Sequence, residues 1–375
     1  MRKLTNLILL TRSLIAAGGI PASTGSQTEP SRRDEMNSGR QPLRIKVFFV
    51  LILAALMTAG GIRPADCAPP ALGPPSVLAS GLQSPIGSTI GLDGALYVAE
   101  GPAGRISRVD LHTGKITTFA SGLPKALISA SGFPVGGPID VAFIGNTAYV
   151  LVTLVDPDVG GHDKDGIYRV DGPDRFTVIA DIGKFNINHP PTIPFQIQVP
   201  TGLQFAMQPY QGGFLVTDGH LNRVLSVTLN GKISVVEAFD DIVPTGLTLS
   251  PPDTVFMAEA GPVPHLPQNG KIVKFQPNSP DVTEVASGAS LLVGVKFAGG
   301  HLYALSQGPG VPGAPAGSPA QPNSGALVRA NPDGTFTFLL DHINLPASFN
   351  FIGNTAYIVT LTGEVLQVDH VFGPF

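Results

Sequence analysis

The sequence predicts an all-β fold, a six-bladed β-propeller whose last blade is closed by the N-terminal strand, and three observations predict it. The heptapeptide FIGNTAY occurs at Phe143–Tyr149 and again at Phe351–Tyr357, 208 residues further on, and weaker copies divide that gap into four units of about 52. Repeats of this length, built from short strands and tight turns, mark propeller blades. Within each unit four short segments alternate apolar and polar residues with a period of two, as strands packed in face-to-face sheets do. The sixth unit lacks a fourth strand, whereas SVLASGL (76–82) resembles fourth-strand segments such as TEVASGA (283–289). Pairing the two joins the first unit to the last and removes the exposed apolar faces and strand edges an open ring would carry.

The first strand of each unit opens on a Pro or aliphatic residue followed by small residues: Pro85-Ile-Gly, Pro138-Ile-Asp, Pro200-Thr-Gly, Pro244-Thr-Gly, Leu292-Val-Gly and Pro346-Ala-Ser. Proline is tolerated at a strand start, and glycine suits backbones crowded around an axis. Second strands follow hairpin signals, as in LDGALYVAE (92–100), IGNTAYVLV (144–152) and GGHLYALS (299–306). Third strands begin at Arg105, Gly166, Arg223, Lys271, Ala326 and Glu364, and fourth strands such as KISVVEAF (232–239) follow further hairpins like Asn230-Gly231. The propeller is thus expected over residues 76–375, after a linker at 68–75.

Residues 1–67 read as a leader. The apolar run VFFVLILAALM (47–57) follows Arg40, Arg44 and Lys46 and precedes small residues at 59–61, the pattern of a secretory signal. It is short for a membrane span, so export with cleavage and an uncleaved N-terminal anchor are the two readings, with no stable span after cleavage. Met36 would give this signal an ordinary charged start and is a candidate for the true initiator. Cys67 is the single cysteine; Pro64, Ala65 and Asp66 before it do not fit a lipidation signal, and no intrachain disulfide can form. A secreted, periplasmic or cell-surface location follows.

Composition excludes some functions. With 23 Lys+Arg against 27 Asp+Glu and a net charge of −4, there is no basic stripe for nucleic acid. The 45 glycines and 36 prolines sit largely at turn positions, so they report turn chemistry rather than disorder. Length variation is confined to the second turns and the links between units, at 124–137, 156–165, 183–199, 261–270 and 307–325. All of these lie on one face of a propeller. Variable loops on a rigid scaffold usually carry binding, so an unknown protein or small-molecule partner is expected on that face.

Candidate site residues are few. Glu100, Asp218 and Glu259 each end a second strand; they could hold a cation or could fasten loop backbone. Asp140 stands where other units have Gly87, Gly202, Gly246, Gly294 and Ser348, a lone ionisable group near the axis that needs a partner. The loop 156–165 supplies Asp156, Asp158, Asp163 and Asp165, oxygen ligands that suit a divalent cation such as Ca²⁺ without matching EF-hand spacing. No other cofactor is indicated. Arg108, Arg169, Lys274 and Arg329 recur on third strands as exposed residues; His189, His220, His265 and His301 show no metal-ligand spacing, and no catalytic Ser-His-Asp set can be assembled.

The motifs GALYVAEGPAGRISRVD (94–110) and Thr113-Gly-Lys-Ile-Thr, with the Pro-Thr-Gly-Leu inner strands and the N-terminal SVLASGL, resemble the ScyD/ScyE family of exported bacterial propellers with NHL-like repeats. The resemblance covers about residues 75–371 and implies a fold and an exported location rather than a reaction. The expectation is a binding or interaction scaffold rather than an enzyme. The alternative is a metal-dependent lactonase or hydrolase of the SMP-30/gluconolactonase type, with Asp140, Glu100, Asp218 and Glu259 near the tunnel mouth. Members of that type hold their metal with inner-strand Glu, Asn and Asp, where this chain offers Pro-Ile-Gly and Pro-Thr-Gly.

Overall fold

In the computed structural model, residues 72–373 are described apart from 129–132, 196–198, 278, 280 and 316; the leader, its alternative start at Met36 and Cys67 lie outside the described residues. Six four-stranded antiparallel sheets follow one another along the chain. Blade I comprises Pro85–Ile90, Leu96–Glu100, Arg105–Val109 and Ile116–Ser121. Blade II comprises Gly137–Ile144, Thr147–Thr153, Gly166–Gly172 and Arg175–Asp181. Blade III comprises Gln204–Tyr210, Gly213–Asp218, Arg223–Thr228 and Ile233–Ala238. Blade IV comprises Pro244–Ser250, Thr254–Glu259, Lys271–Phe275 and Thr283–Ser287. Blade V comprises Leu292–Ala298, His301–Ser306, Gly325–Ala330 and Phe336–Ile343. Blade VI takes Pro346–Ile352, Thr355–Thr360 and Glu364–Val368 from the C-terminal end. Its outer strand is Ser76–Ser80, paired antiparallel to Glu364–Val368 with Val77 opposite Leu366 and Ser80 opposite Glu364. The ring is a six-bladed propeller closed as expected.

The core is distributed over the seams between blades. Six buried clusters occur, and each joins neighbouring blades, for example Leu215 and Val224 of blade III with Met257 and Phe275 of blade IV. The closing seam buries Ala79 and Leu82 among Val359, Val365, Leu96 and Val98. At the axis the same seam is stitched by Ser88 Oγ to Ser348 Oγ at 2.8 Å and by Asn350 Nδ2 donating to the Ser88 carbonyl at 3.1 Å. The inner-strand glycines have the expected cause: a Cβ on Gly87 would strike the Asp140 carboxylate and the Ile139 carbonyl, and one on Gly246 would strike the Gly294 Cα.

One strand boundary departs from the sequence reading. Blade III does not start at Pro200: its inner strand begins at Gln204, which pairs with Asp218, while Pro200 and Thr201 form a turn. Two contacts hold that turn. Asp158 accepts the Thr201 N–H and hydroxyl, and the Thr201 carbonyl accepts from Asn186 Nδ2 and Gln204 Nε2. Gly202 follows at φ 81°, with the Asp218 carboxylate against it, so only glycine fits. The blade III position equivalent to Asp140 is therefore Ala206 rather than Gly202, because Met207 pairs with Val216 as Ser88 pairs with Val98. Four of the long segments also contain regular structure: the helix Ile182–Asn188, a small hairpin of Leu127–Ile128 with Pro134–Val135, and the short 3-10 helices Pro157–Val159 and Pro267–Asn269.

A recurrent feature of the long-loop face is invisible in composition. Val243, Leu291 and Leu345, each just before an inner strand, adopt φ of 52°, 47° and 48°. Such values are rare for branched side chains. Each carbonyl accepts the N–H just past the second strand of the same blade, from Ala260, Gln307 and Leu361 at 2.9, 3.0 and 2.9 Å. The hydrogen bond fixes the link between blades and over-determines the strained residue.

Candidate functional site

The six inner strands enclose an axial cavity of about 310 Å³, to which Ser88, Asp140, Met207, Leu247, Lys296 and Phe349 contribute one residue from each blade. Leu92 and Gly145 of the first turns also line it, so it opens on the short-turn face. The axial cavity thus opens on the face opposite the long loops, where binding was expected. On the long-loop face the segment after Ser306 is tied back to the blades, Ala320 N donating to Gln307 Oε1 while Gln307 Nε2 donates to the Pro346 carbonyl.

Asp140 lies in this cavity. Its Oδ1 accepts the Val141 N–H at 2.9 Å and its Oδ2 reaches the next blade to accept the Met207 N–H at 2.8 Å. Burial pushes its carboxyl up to about 6 against these two donors and the nearby Lys296. It is not a lone ionisable group: Lys296 shares the cavity and was missed by sequence reasoning. The signal was there, a lysine two residues beyond the axial Gly294 on an inner strand. Among the described residues the Lys296 ammonium makes no hydrogen bond or ion pair. Burial lowers its pKa and the Asp140 charge opposes that shift.

Glu100, Asp218 and Glu259 do not line the axial cavity. Each stands in register opposite a basic residue that begins the third strand: Arg105, Arg223 and Lys271. Glu100 is fully buried and saturated, accepting from the Gln83 N–H, the Arg105 guanidinium at 2.8 and 3.0 Å, and the Ser107 hydroxyl. Asp218 is fully buried and accepts from Asn186 Nδ2 at 2.7 Å, with Arg223 Nε at 3.5 Å. Burial raises its carboxyl to about 6 against the pull of Arg223 and Asn186. Arg223 also donates to the His189 carbonyl and to Asn186 Oδ1, both at 2.7 Å, tying the helix Ile182–Asn188 to blade III. In blade IV the pair is broken: Lys271 turns to Glu284 at 2.7 Å, and burial lifts Glu259 to about 7.

Three of the four carboxylates of loop 156–165 bond the loop and its neighbours, although the buried Asp165 Oδ2 has no hydrogen-bond partner among the described residues. Asp156 accepts the Asp165 N–H, Asp165 accepts the Val155 N–H, and Asp158 holds Thr201; Asp163 is exposed. Among the described residues, no three His, Cys, Asp or Glu side chains converge on a point that could hold a metal ion. Asp165 is fully buried and pushed up to about 7, chiefly by burial and further by Asp156. Because its folded pKa lies above its unfolded value, its stabilising contribution is full below about pH 4 and fades as pH rises through 7. The melting-temperature difference between the protein and Asp165→Asn should therefore favour the native protein more at pH 5 than at pH 8. An equal difference at both would show that Asp165 titrates normally.

No family model and no curated protein sequence matches the chain. Solved structures match its fold. The PQQ-bound aldose sugar dehydrogenase of Streptomyces coelicolor is similar with a TM-score of 0.51 at 15% identity, covering 80% of this chain and 99% of its own. A Xanthomonas campestris gluconolactonase is similar with a TM-score of 0.52 at 13% identity, covering 82% and 99%. At such identities the likeness defines the class of protein, a six-bladed β-propeller, and nothing finer.

Proposed function

We propose that this protein is an exported propeller that binds a small anionic molecule in its axial cavity. One observation carries the reading: an ammonium group that makes no hydrogen bond or ion pair among the described residues, with Asp140 as its neighbouring charge, stands in a cavity built by all six inner strands. A half-buried cation is costly unless compensated, and an anion of the ligand would supply the compensation. The Ser88 and Ser348 hydroxyls line the same space and suit a carboxylate that also bears hydroxyls. The motifs at 94–110 support placing the chain with the ScyD/ScyE-type propellers, and the apolar run at 47–57 supports export. The lactonase alternative rests on the fold likeness; no convergent metal ligands among the described residues favour it.

Titration calorimetry with gluconate, acetate and glucose tests the reading. Gluconate should bind more tightly than neutral glucose, and Lys296→Met, which keeps the length and removes the charge, should weaken it by about tenfold or more, the loss of one charge-assisted hydrogen bond. Unchanged gluconate binding by a folded Lys296→Met protein would exclude the axial site.

A further inference from the structure

A second cavity, of about 130 Å³, lies on the long-loop face, and two imidazoles, His220 and His265, help to line it. The remaining wall is mostly apolar, with Leu203, Phe205, Val263 and Val293 among its members. The two rings are not equivalent. His265 Nδ1 lies 2.7 Å from the Gly261 carbonyl, which can only accept. The proton of the neutral ring therefore sits on Nδ1, and Nε2 carries the lone pair. His220 Nδ1 is buried without a partner. A buried N–H left unpaired is the rarer state, so the favoured tautomer keeps that nitrogen bare and puts the proton on Nε2. Burial, with the neighbouring His265, pushes His220 down to about 4, so the ring stays neutral near pH 7.

Of the other polar side chains on the wall, Asn222 Oδ1 and the Thr245 hydroxyl are bonded to backbone and the Asp241 carboxylate faces Asn222 Nδ2; to these the imidazoles add one acceptor, His265 Nε2, and one donor, His220 Nε2–H. A hydroxyl is the group that matches both, since it donates once and accepts through its lone pairs. We propose that this pocket binds an uncharged apolar ring bearing a hydroxyl, which donates to His265 and accepts from His220. The size fits: a dry cavity of comparable volume in another protein takes benzene. His265 sits at φ 58° and is held there by its own bond to Gly261, so the acceptor is pre-positioned rather than recruited. The strained Val243 forms part of the same wall.

Nitrogen-detected NMR of the full-length protein, with phenol and toluene as probes, tests the proposal. Phenol should shift the imidazole nitrogens of both His220 and His265, and toluene should bind about tenfold or more weakly, the margin that one or two hydrogen bonds carry. His220→Phe fills the space without the donor, and His265→Asn keeps a residue that tolerates positive φ; each should remove most of the preference for phenol. Should either variant fail to fold, the phenol-to-toluene comparison on the native protein still decides. Equal binding of the two probes, or shifts confined to one ring, would overturn the proposal. So would Zn²⁺ shifting both rings and excluding phenol, because the imidazoles would then be metal ligands. Lys296→Met leaves phenol binding unchanged, which separates this site from the axial one.

Discussion

Deleting residues 76–82 from the full-length chain is expected to abolish cooperative unfolding. The outer strand of blade VI would be missing, together with the backbone bonds from Gly81 and Leu82 to the Gly363 carbonyl at 3.1 Å. Burying Leu82 alone is worth about 1.5–3 kcal/mol, and each lost ladder bond about 1 kcal/mol. Val359, Val365, Leu96 and Val98, all fully buried, would meet solvent along one seam. These losses are comparable with the roughly 5–15 kcal/mol that holds a whole domain together. A ring with one open seam also exposes an unpaired strand edge at 364–368, so aggregation is the expected fate. Thermal unfolding followed by circular dichroism checks this; an unaltered transition in the deleted protein would show that blade VI does not depend on its borrowed strand.

Replacing Arg223 by Met is expected to lower stability by about 3–5 kcal/mol, or the melting temperature by roughly 5–15 °C. Arg223 is 4% exposed, and its removal strands the Asp218 carboxylate, the Asn186 amide oxygen and the His189 carbonyl together. Loss of a buried partner is expensive because the remaining charge keeps its desolvation cost. The double variant Asp218→Leu, Arg223→Met should cost less than the sum of the two single changes, since no orphaned charge is left. Strict additivity would mean that the ion pair contributes nothing beyond its separate parts. By contrast, Lys271→Met should cost little, because its partner Glu284 is half exposed and such pairs are worth about 0–1 kcal/mol.

The repeat made the architecture legible. FIGNTAY fixed the spacing, hairpin dipeptides fixed the first and third turns, and SVLASGL revealed the closing strand. The inner-strand small residues were read for the right reason, backbone crowding, except in blade III. There a cross-blade contact from Asp158 to Thr201 pulls Pro200-Thr-Gly out of the strand, and no local pattern records a partner 43 residues away. The candidate site was less legible. Glu100 and Asp218 each precede an arginine by five residues, a cross-strand pairing across a tight turn that the sequence displays. Lys296 was hidden because lysines on strands are usually solvated, and only the position of its strand at the axis changes that. The roles of His220 and His265 depend on which ring nitrogen meets a carbonyl, and that is tertiary information throughout.

Phe205 and Val293 line both cavities. These two side chains are a wall that both hollows hold in common. An occupant pressing on either from one side alters the surface offered to the other, which makes an aromatic ring and a valine the place where the two sides of the molecule would feel one another.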